Sequence, residues 1–249
     1  MSPAQHRSSK LDHWLRPEHR NPWPLFQDAL ARPYGRTLTI DHFLTDEALA
    51  TIDASFAKRT FTPDNEGLPY DSRSSLVSAG DELGEFFHDR EWIEWLHAAL
   101  GQSLPDRFGV ITSARMNPKE ALGFWPHVDD LPGIPRRIAV LIYLTPEWRA
   151  EDGGLLQLWQ ELPAAEALGE PLRWADQLHR RLDVLDHQRE LYLELGGPWY
   201  LPKTHLRLID QIIPMRNRAV LFALHPERMI HSVTPSRGRE RYAILQWIS

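Results

Sequence analysis

From about Phe108 onward, apolar residues recur at every second position, a period that suits an extended strand and not a helix. Over 136–144, Ile138, Val140 and Ile142 point one way and Ala139, Leu141 and Tyr143 the other. Stretches 155–159, 219–224 and 242–248 read as further short strands, with Gly153-Gly154 as a turn between the first two. Upstream the pattern is different. A short strand at 37–40 is followed by Thr45, a good N-cap, then Asp46 and Glu47 in a first turn and Leu49, Ile52 and Phe56 at helical spacing. Asp89 caps a second helix carrying Trp92, Ile93, Leu96 and Leu100, which ends at Gly101. Helices first and strands afterwards predict an all-β core with flanking helices (α+β), the helices lying on one side of a sandwich or barrel.

Residues 1–36, rich in Pro, Arg and His, predict an N-terminal arm, with regular structure starting at Thr37 and a single domain over 37–249. The stretch 160–214 breaks the strand rhythm. Ala175, Leu178, Leu182 and Leu185 are spaced for a helix and Gly196-Gly197-Pro198 stops it, so this reads as an insertion between two barrel strands. Such a segment has the size to form a substrate lid, and its Trp199, Tyr200, Lys203, His205 and Arg207 offer aromatic and cationic groups to a polar or acidic substrate. The alternative is an element for packing or for a homodimer.

Composition narrows the function classes. With 42% hydrophobic residues, 10 Trp and 9 Phe, a chain of 249 residues has material for one large core. A formal net charge of −6 argues against a nucleic-acid partner. There is no Cys, which excludes disulfides, thiolate zinc sites and iron–sulfur clusters and leaves His and carboxylates as metal ligands. The polar first twenty residues lack the apolar centre of a secretory leader, and no run of about 18 apolar residues occurs that would span a membrane. A cytoplasmic protein without a membrane partner is expected.

His-x-Asp/Glu occurs twice, as His127-Val128-Asp129 and His225-Pro226-Glu227, about what chance gives with 12 His and 34 acidic residues. Context separates the two. On an extended segment, residues two apart point the same way, so His127 and Asp129 can share one ion. Pro226, at the end of an apolar strand, marks the second pair as a turn. Alone, His127 would read as a hydrogen-bonded histidine at a strand end, and His231, just after the strand 219–224, as a surface-loop residue. Arg241 opens the last strand on the same face as Ala243, Leu245 and Trp247, where a cation is costly to bury without an anion. An edge Arg with its guanidinium in water is the plain alternative. Two imidazoles and one carboxylate on one face of a metal, with open positions beside them, suit a non-haem Fe(II) oxygenase, and Arg241 would clamp a dicarboxylate co-substrate.

These motifs, with Tyr143-Leu144-Thr145, Glu147-Trp148, Gly153-Gly154, His231-Ser232-Val233-Thr234-Pro235 and Arg241-Tyr242-Ala243-Ile244 to Trp247, resemble the prolyl 4-hydroxylase-like branch of the 2-oxoglutarate oxygenases, notably the prolyl hydroxylases of hypoxia-inducible factor. The resemblance covers roughly 108–159 and 216–249. It implies a double-stranded β-helix, or jelly roll, with His127, Asp129 and His231 as catalytic iron ligands. It also implies Fe(II), 2-oxoglutarate and O2 as cofactor and co-substrates, with Arg241, Tyr143, Asn117 and Trp247 as the co-substrate-binding set. Asn117 stands where those hydroxylases place a Tyr, and the insertion is longer than the family's usual connection. Asp129 points to hydroxylation, since related halogenases carry Gly or Ala at that position. The expected function is hydroxylation of an unactivated C–H bond of a small molecule, an amino acid or natural-product intermediate, with release of succinate and CO2. The alternative is hydroxylation of a protein residue, prolyl foremost. A third reading is a jelly-roll binding protein without activity.

Overall fold

The computed structural model describes residues 9–32, 35–64, 72–121, 123–129, 137–163, 206–224 and 229–249. The N-terminal half carries α1 (Lys10–Trp14), α2 (Trp23–Ala31), β1 (Thr37–Ile40), α3 (Asp46–Phe56), β2 (Thr62–Pro63) and β3 (Arg73–Val77). Then come α4 (Gly84–Phe87), α5 (Arg90–Ala99), β4 (Val110–Asn117), β5 (Phe124–His127) and β6 (Ile138–Tyr143). The last strands are β7 (Leu156–Glu161), β8 (Leu206–Ile212), β9 (Arg218–Ala223), β10 (Ile230–Val233) and β11 (Arg241–Ile248). They form a seven-stranded sheet, order β1-β9-β6-β11-β4-β3-β2, and a four-stranded sheet, order β5-β10-β7-β8. This is a double-stranded β-helix with helices on one outer face. No helix among the described residues is long and apolar enough to cross a membrane.

Both predicted helix caps form: the Thr45 hydroxyl accepts from the Ala48 N–H and the Asp89 carboxylate from the Glu91 N–H. The alternation in β6 divides as the sequence predicts. Ile138, Val140 and Ile142 join the helix-side core with Trp92, Leu96 and Ile244, while Ala139, Leu141 and Tyr143 join the core between the sheets with Leu156, Leu158 and Phe222.

Three expectations need correction. Regular structure starts well before Thr37, because α1 and α2 occupy the arm. Trp14 and Leu15 are buried, Trp14 stacking on Phe86 at 4.4 Å. Prolines mislead here: Pro22 and Pro24 lie at the start of α2, where the missing N–H is no loss. The insertion is also shorter than 160–214, since β7 runs through Glu161 and β8 pairs with it antiparallel from Leu206. Residues 162–205 therefore link two paired strands. The helix expected near 175–185 and its stop at 196–198 lie outside the described residues, as do Trp199, Tyr200, Lys203, His205, His225 and Glu227. Finally, β3 and β10 are strands that the apolar alternation did not reveal.

The two layers are joined by one buried amide. Gln246 accepts from the Trp92 indole (2.8 Å) and donates to the Phe87 carbonyl (2.6 Å) and the Thr112 hydroxyl (2.8 Å). Gln246→Leu strands these groups in a dry interior and should lower stability by about 2–4 kcal/mol in denaturant unfolding. A loss below about 1 kcal/mol would mean that water reaches them.

Burial also holds the imidazoles of His97 and His88 below their usual pKa. Both therefore take up a proton less readily in the fold than in the unfolded chain, which protonates them from about pH 6.5 downward. Stability should fall as pH drops below that value, and His97→Leu should flatten the fall between pH 7 and 5. An unchanged slope would exclude His97 as a contributor.

Candidate active site

The sheet pairing assembles the predicted triad. His127 ends β5 and His231 lies in β10, and the two are direct partners in the antiparallel register. Their rings meet at 4.4 Å between centroids. Two residues beyond His127, the Asp129 carboxylate lies 3.7 Å from His127 Nε2 and 3.8 Å from His231 Nε2. One ligand atom from each of the three residues falls within 4.8 Å of the others, both imidazoles being buried. The His231 Nδ1 lies 3.2 Å from the Met229 carbonyl, an acceptor that orients the ring and leaves Nε2 as the nitrogen facing Asp129. The Trp247 indole donates to Asp129 Oδ2 at 2.8 Å and fixes the carboxylate.

A second cluster sits further along β11. Arg241 pairs in register with Asn117 of β4, and its guanidinium is buried. Nη2 donates to Asn117 Oδ1 at 3.0 Å and Nη1 to the Gly154 carbonyl, while Nε has no partner. Gly154 has φ +60°, and a Cβ there would lie 3.4 Å from Arg241 and 3.2 Å from the Trp148 ring, so the turn needs glycine to bring its carbonyl to the cation. The Arg241 Cζ lies 5.9 Å from the centre of the Tyr143 ring. Burial pushes the Tyr143 hydroxyl up to about 12, which keeps it a proton donor at neutral pH.

Of the expected co-substrate set, Arg241, Asn117 and Tyr143 are thus brought together. Trp247 goes elsewhere, its indole nitrogen holding the triad carboxylate. Sequence reasoning did not single out Arg115, which lies on the inner face of β4 two residues from Asn117 and pairs with Asp64. The alternation Ser113, Arg115, Asn117 was the signal for it.

A family model described as the 2OG-Fe(II) oxygenase superfamily matches residues 112–249, more than half of the chain. The chain belongs to this superfamily. It is accordingly a 2-oxoglutarate-dependent dioxygenase that uses Fe(II), 2-oxoglutarate and O2. No curated protein matches it. Among solved structures, a Pseudomonas putida prolyl-4-hydroxylase is similar at 15% identity and TM-score 0.57, over 92% of this chain and 98% of that one. A Trichoplax adhaerens prolyl hydroxylase in complex with a peptide fragment of the hypoxia inducible factor oxygen degradation domain is similar at 17% identity and TM-score 0.55, over 97% and 94%. HygX from Streptomyces hygroscopicus, with nickel and 2-oxoglutarate bound, is similar at 10% identity and TM-score 0.51, over 86% and 82%. At these identities the likeness is one of fold.

The side chains of this oxygenase fit the superfamily's requirements. Two imidazoles and a carboxylate are the donor set that Fe(II) takes in such enzymes, and the orphaned Arg241 Nε, buried without an anion among the described residues, suits a carboxylate. Trp247→Phe removes the donor that orients Asp129 and should weaken Fe(II) binding about tenfold or more, measured by titration without oxygen. Unaltered affinity would show that the carboxylate needs no such support.

Proposed function

We propose that this dioxygenase hydroxylates an unactivated C–H bond of a small molecule, an amino acid or natural-product intermediate. In the proposed scheme, His127, Asp129 and His231 hold the iron and Arg241 holds 2-oxoglutarate. The balanced reaction converts the C–H substrate, 2-oxoglutarate and O2 into the alcohol, succinate and CO2. The observation that carries this reading is the buried Arg241 guanidinium, which has only neutral oxygen partners and one nitrogen, Nε, without any partner among the described residues.

The iron and its co-substrate supply the oxidising power when bound. The protein's part is positional. His127 and His231 present their imidazole nitrogens, and Asp129, held by Trp247, presents the carboxylate. These three ligands would hold the ion from one side and leave room beside it for the co-substrate and O2. Arg241, held by Asn117 and Gly154, meets the remote carboxylate of 2-oxoglutarate through its unused N–H, with the protonated Tyr143 hydroxyl as a second donor. The 162–205 connection between β7 and β8 has the length for a lid over a small substrate.

A second reading, hydroxylation of a protein residue, is favoured by the fold shared with the Trichoplax adhaerens enzyme in complex with its peptide. Succinate release in the presence of proline-containing peptides, beside free amino acids, separates the two.

His127→Ala, Asp129→Ala and His231→Ala should each abolish Fe(II)-dependent succinate release, since three ligands are the minimal facial set. Full activity of the His231 variant would sink the ligand assignment. Arg241→Ala should bind Fe(II) as before yet raise the apparent KM for 2-oxoglutarate by roughly thirtyfold or more, the effect of losing one buried partner of a charge pair at about 2–5 kcal/mol. An unmoved KM would assign the clamp to another cation.

A further inference from the structure

The seven-stranded sheet extends past the four-stranded one. Leu76 of β3 and Ile111 of β4 share the inner face with Arg115 yet are 69% and 44% exposed, so this end of the face opens toward solvent. Just inside that opening lies an ion pair that the reaction, as described so far, does not use. Arg115 Nη1 pairs with Asp64, and Nε donates to the Ser113 hydroxyl at 2.9 Å. Asp64 also accepts from the hydroxyls of Ser72 (2.8 Å) and Ser74. The guanidinium lies 5.6 Å from the centre of the Trp247 ring, and it is the indole nitrogen of that ring that holds Asp129. Arg115 is therefore one side chain removed from the metal triad.

Beside Arg218 of β9, which Asp41 holds, two arginines project from this inner face among the described residues, Arg241 from β11 and Arg115 from β4, where Arg115 pairs in register with Ala243. Each is steadied in a similar way. Asn117 and the Gly154 carbonyl orient the first, while Asp64, Ser113 and the indole orient the second. One 2-oxoglutarate meets only Arg241. A largely buried charged pair on a face shared with Ala243 and Leu245 adds little net stability over apolar packing, which favours a binding role for it. The guanidinium fork matches a carboxylate, and its stacking on an aromatic ring holds the fork in one plane.

We infer that Arg115 anchors a carboxylate of the substrate, so that the molecule oxidised here is an acidic small molecule entering over Leu76 and Ile111. Asp64 is the resting counter-ion that keeps the guanidinium oriented until the substrate arrives, its carboxylate still accepting from the Ser72 and Ser74 hydroxyls afterwards. This rests on the site being a small-molecule oxygenase pocket, as proposed above. The chemistry adds a reason. An unactivated C–H bond has no polar handle, so its alignment must come from a charged group elsewhere on the substrate.

The test offers the enzyme, with Fe(II), 2-oxoglutarate and O2, each standard L-amino acid beside its carboxamide, and measures succinate release. At least one acid should show an apparent KM about tenfold or more below that of its amide, the gain expected for a charge-assisted pair. Arg115→Gln should erase that preference, a ratio insensitive to the fraction of folded enzyme. Should Arg115→Gln fail to fold, two further variants carry the test with opposite signs. Arg115→Lys, which keeps the charge and loses the fork, should raise the acid's KM, and Asp64→Asn, which removes the competing anion, should lower it. A wild type that prefers no acid over its amide, an Arg115→Gln that keeps the preference, or an Asp64→Asn that weakens acids and amides alike would overturn the inference. Absence of any Fe(II)-dependent succinate release from the wild type is a distinct outcome, and it would overturn the reading of the whole site.

Discussion

A full positive charge inside a β-sandwich is the constraint around which this structure is arranged. Arg241 is buried, and burial alone pulls its pKa below the usual value. Taking an ion of this kind out of water costs several kcal/mol even after relaxation, and neutral acceptors recover only part of that. The fold supplies such acceptors from three directions: the Asn117 amide from β4, the Gly154 carbonyl from a turn with positive φ, and the Tyr143 ring from β6. None is an anion. The arrangement stays electrically incomplete among the described residues, which is what a pocket for a dicarboxylate requires.

That pocket is held in place by the core on the other side of the same strand. β11 lies between β4 and β6, with Ile244, Gln246 and Ile248 facing the helices and Arg241, Ala243 and Trp247 facing the metal triad. Because side chains alternate, a slip of one residue would exchange the two sets and move the guanidinium into the helix layer. The Gln246 amide, bonded at once to α4, α5 and β4, fixes the register against such a slip. Register at the site therefore depends on polar contacts made in the core, several residues away from the chemistry.

Much of this was legible in the sequence, and the reasons differ by element. The division of β6 and β11 into two faces followed from alternation, because both strands are covered on both sides. Thr45 and Asp89 announced their helices because a cap is a local device. The triad was readable once His127-Val128-Asp129 was taken with His231 and Arg241, since i and i+2 on a strand share a side. What stayed hidden depended on partners distant in sequence. β3, Arg73-Ser74-Ser75-Leu76-Val77, is too polar to show a period, and its inner face is open rather than packed. α2 was obscured by the prolines at its start, and Trp14 of the short α1 finds Phe86 and Phe87 only in the folded chain. Trp247 was legible as a residue of the site face. Its particular contact, the Asp129 carboxylate, depends on a β5 end that no local pattern specifies.

The two sheets divide the work of the site. The smaller one brings His127 and His231 together through its β5–β10 pairing, while the larger one carries Arg241, Tyr143, Asn117, Trp247 and Arg115. The two imidazoles and the guanidinium groups of Arg241 and Arg115 therefore sit on opposite walls, joined at Asp129, which follows β5 and is held by Trp247 of β11. An oxidant strong enough to break an unactivated C–H bond must meet one bond among many of similar strength, so selectivity has to come from where the substrate is held. Side chains on strands hold position better than side chains on loops, and both arginines stand on central, doubly paired strands of the large sheet. Beside Arg241 and the Arg218–Asp41 pair of β9, Arg115 and Asp64 are the charged groups on that wall among the described residues. Under the proposed anchoring, selection of the bond becomes a matter of distance from Arg115 along the substrate, set by the backbone of β4 rather than by the chemistry at the metal.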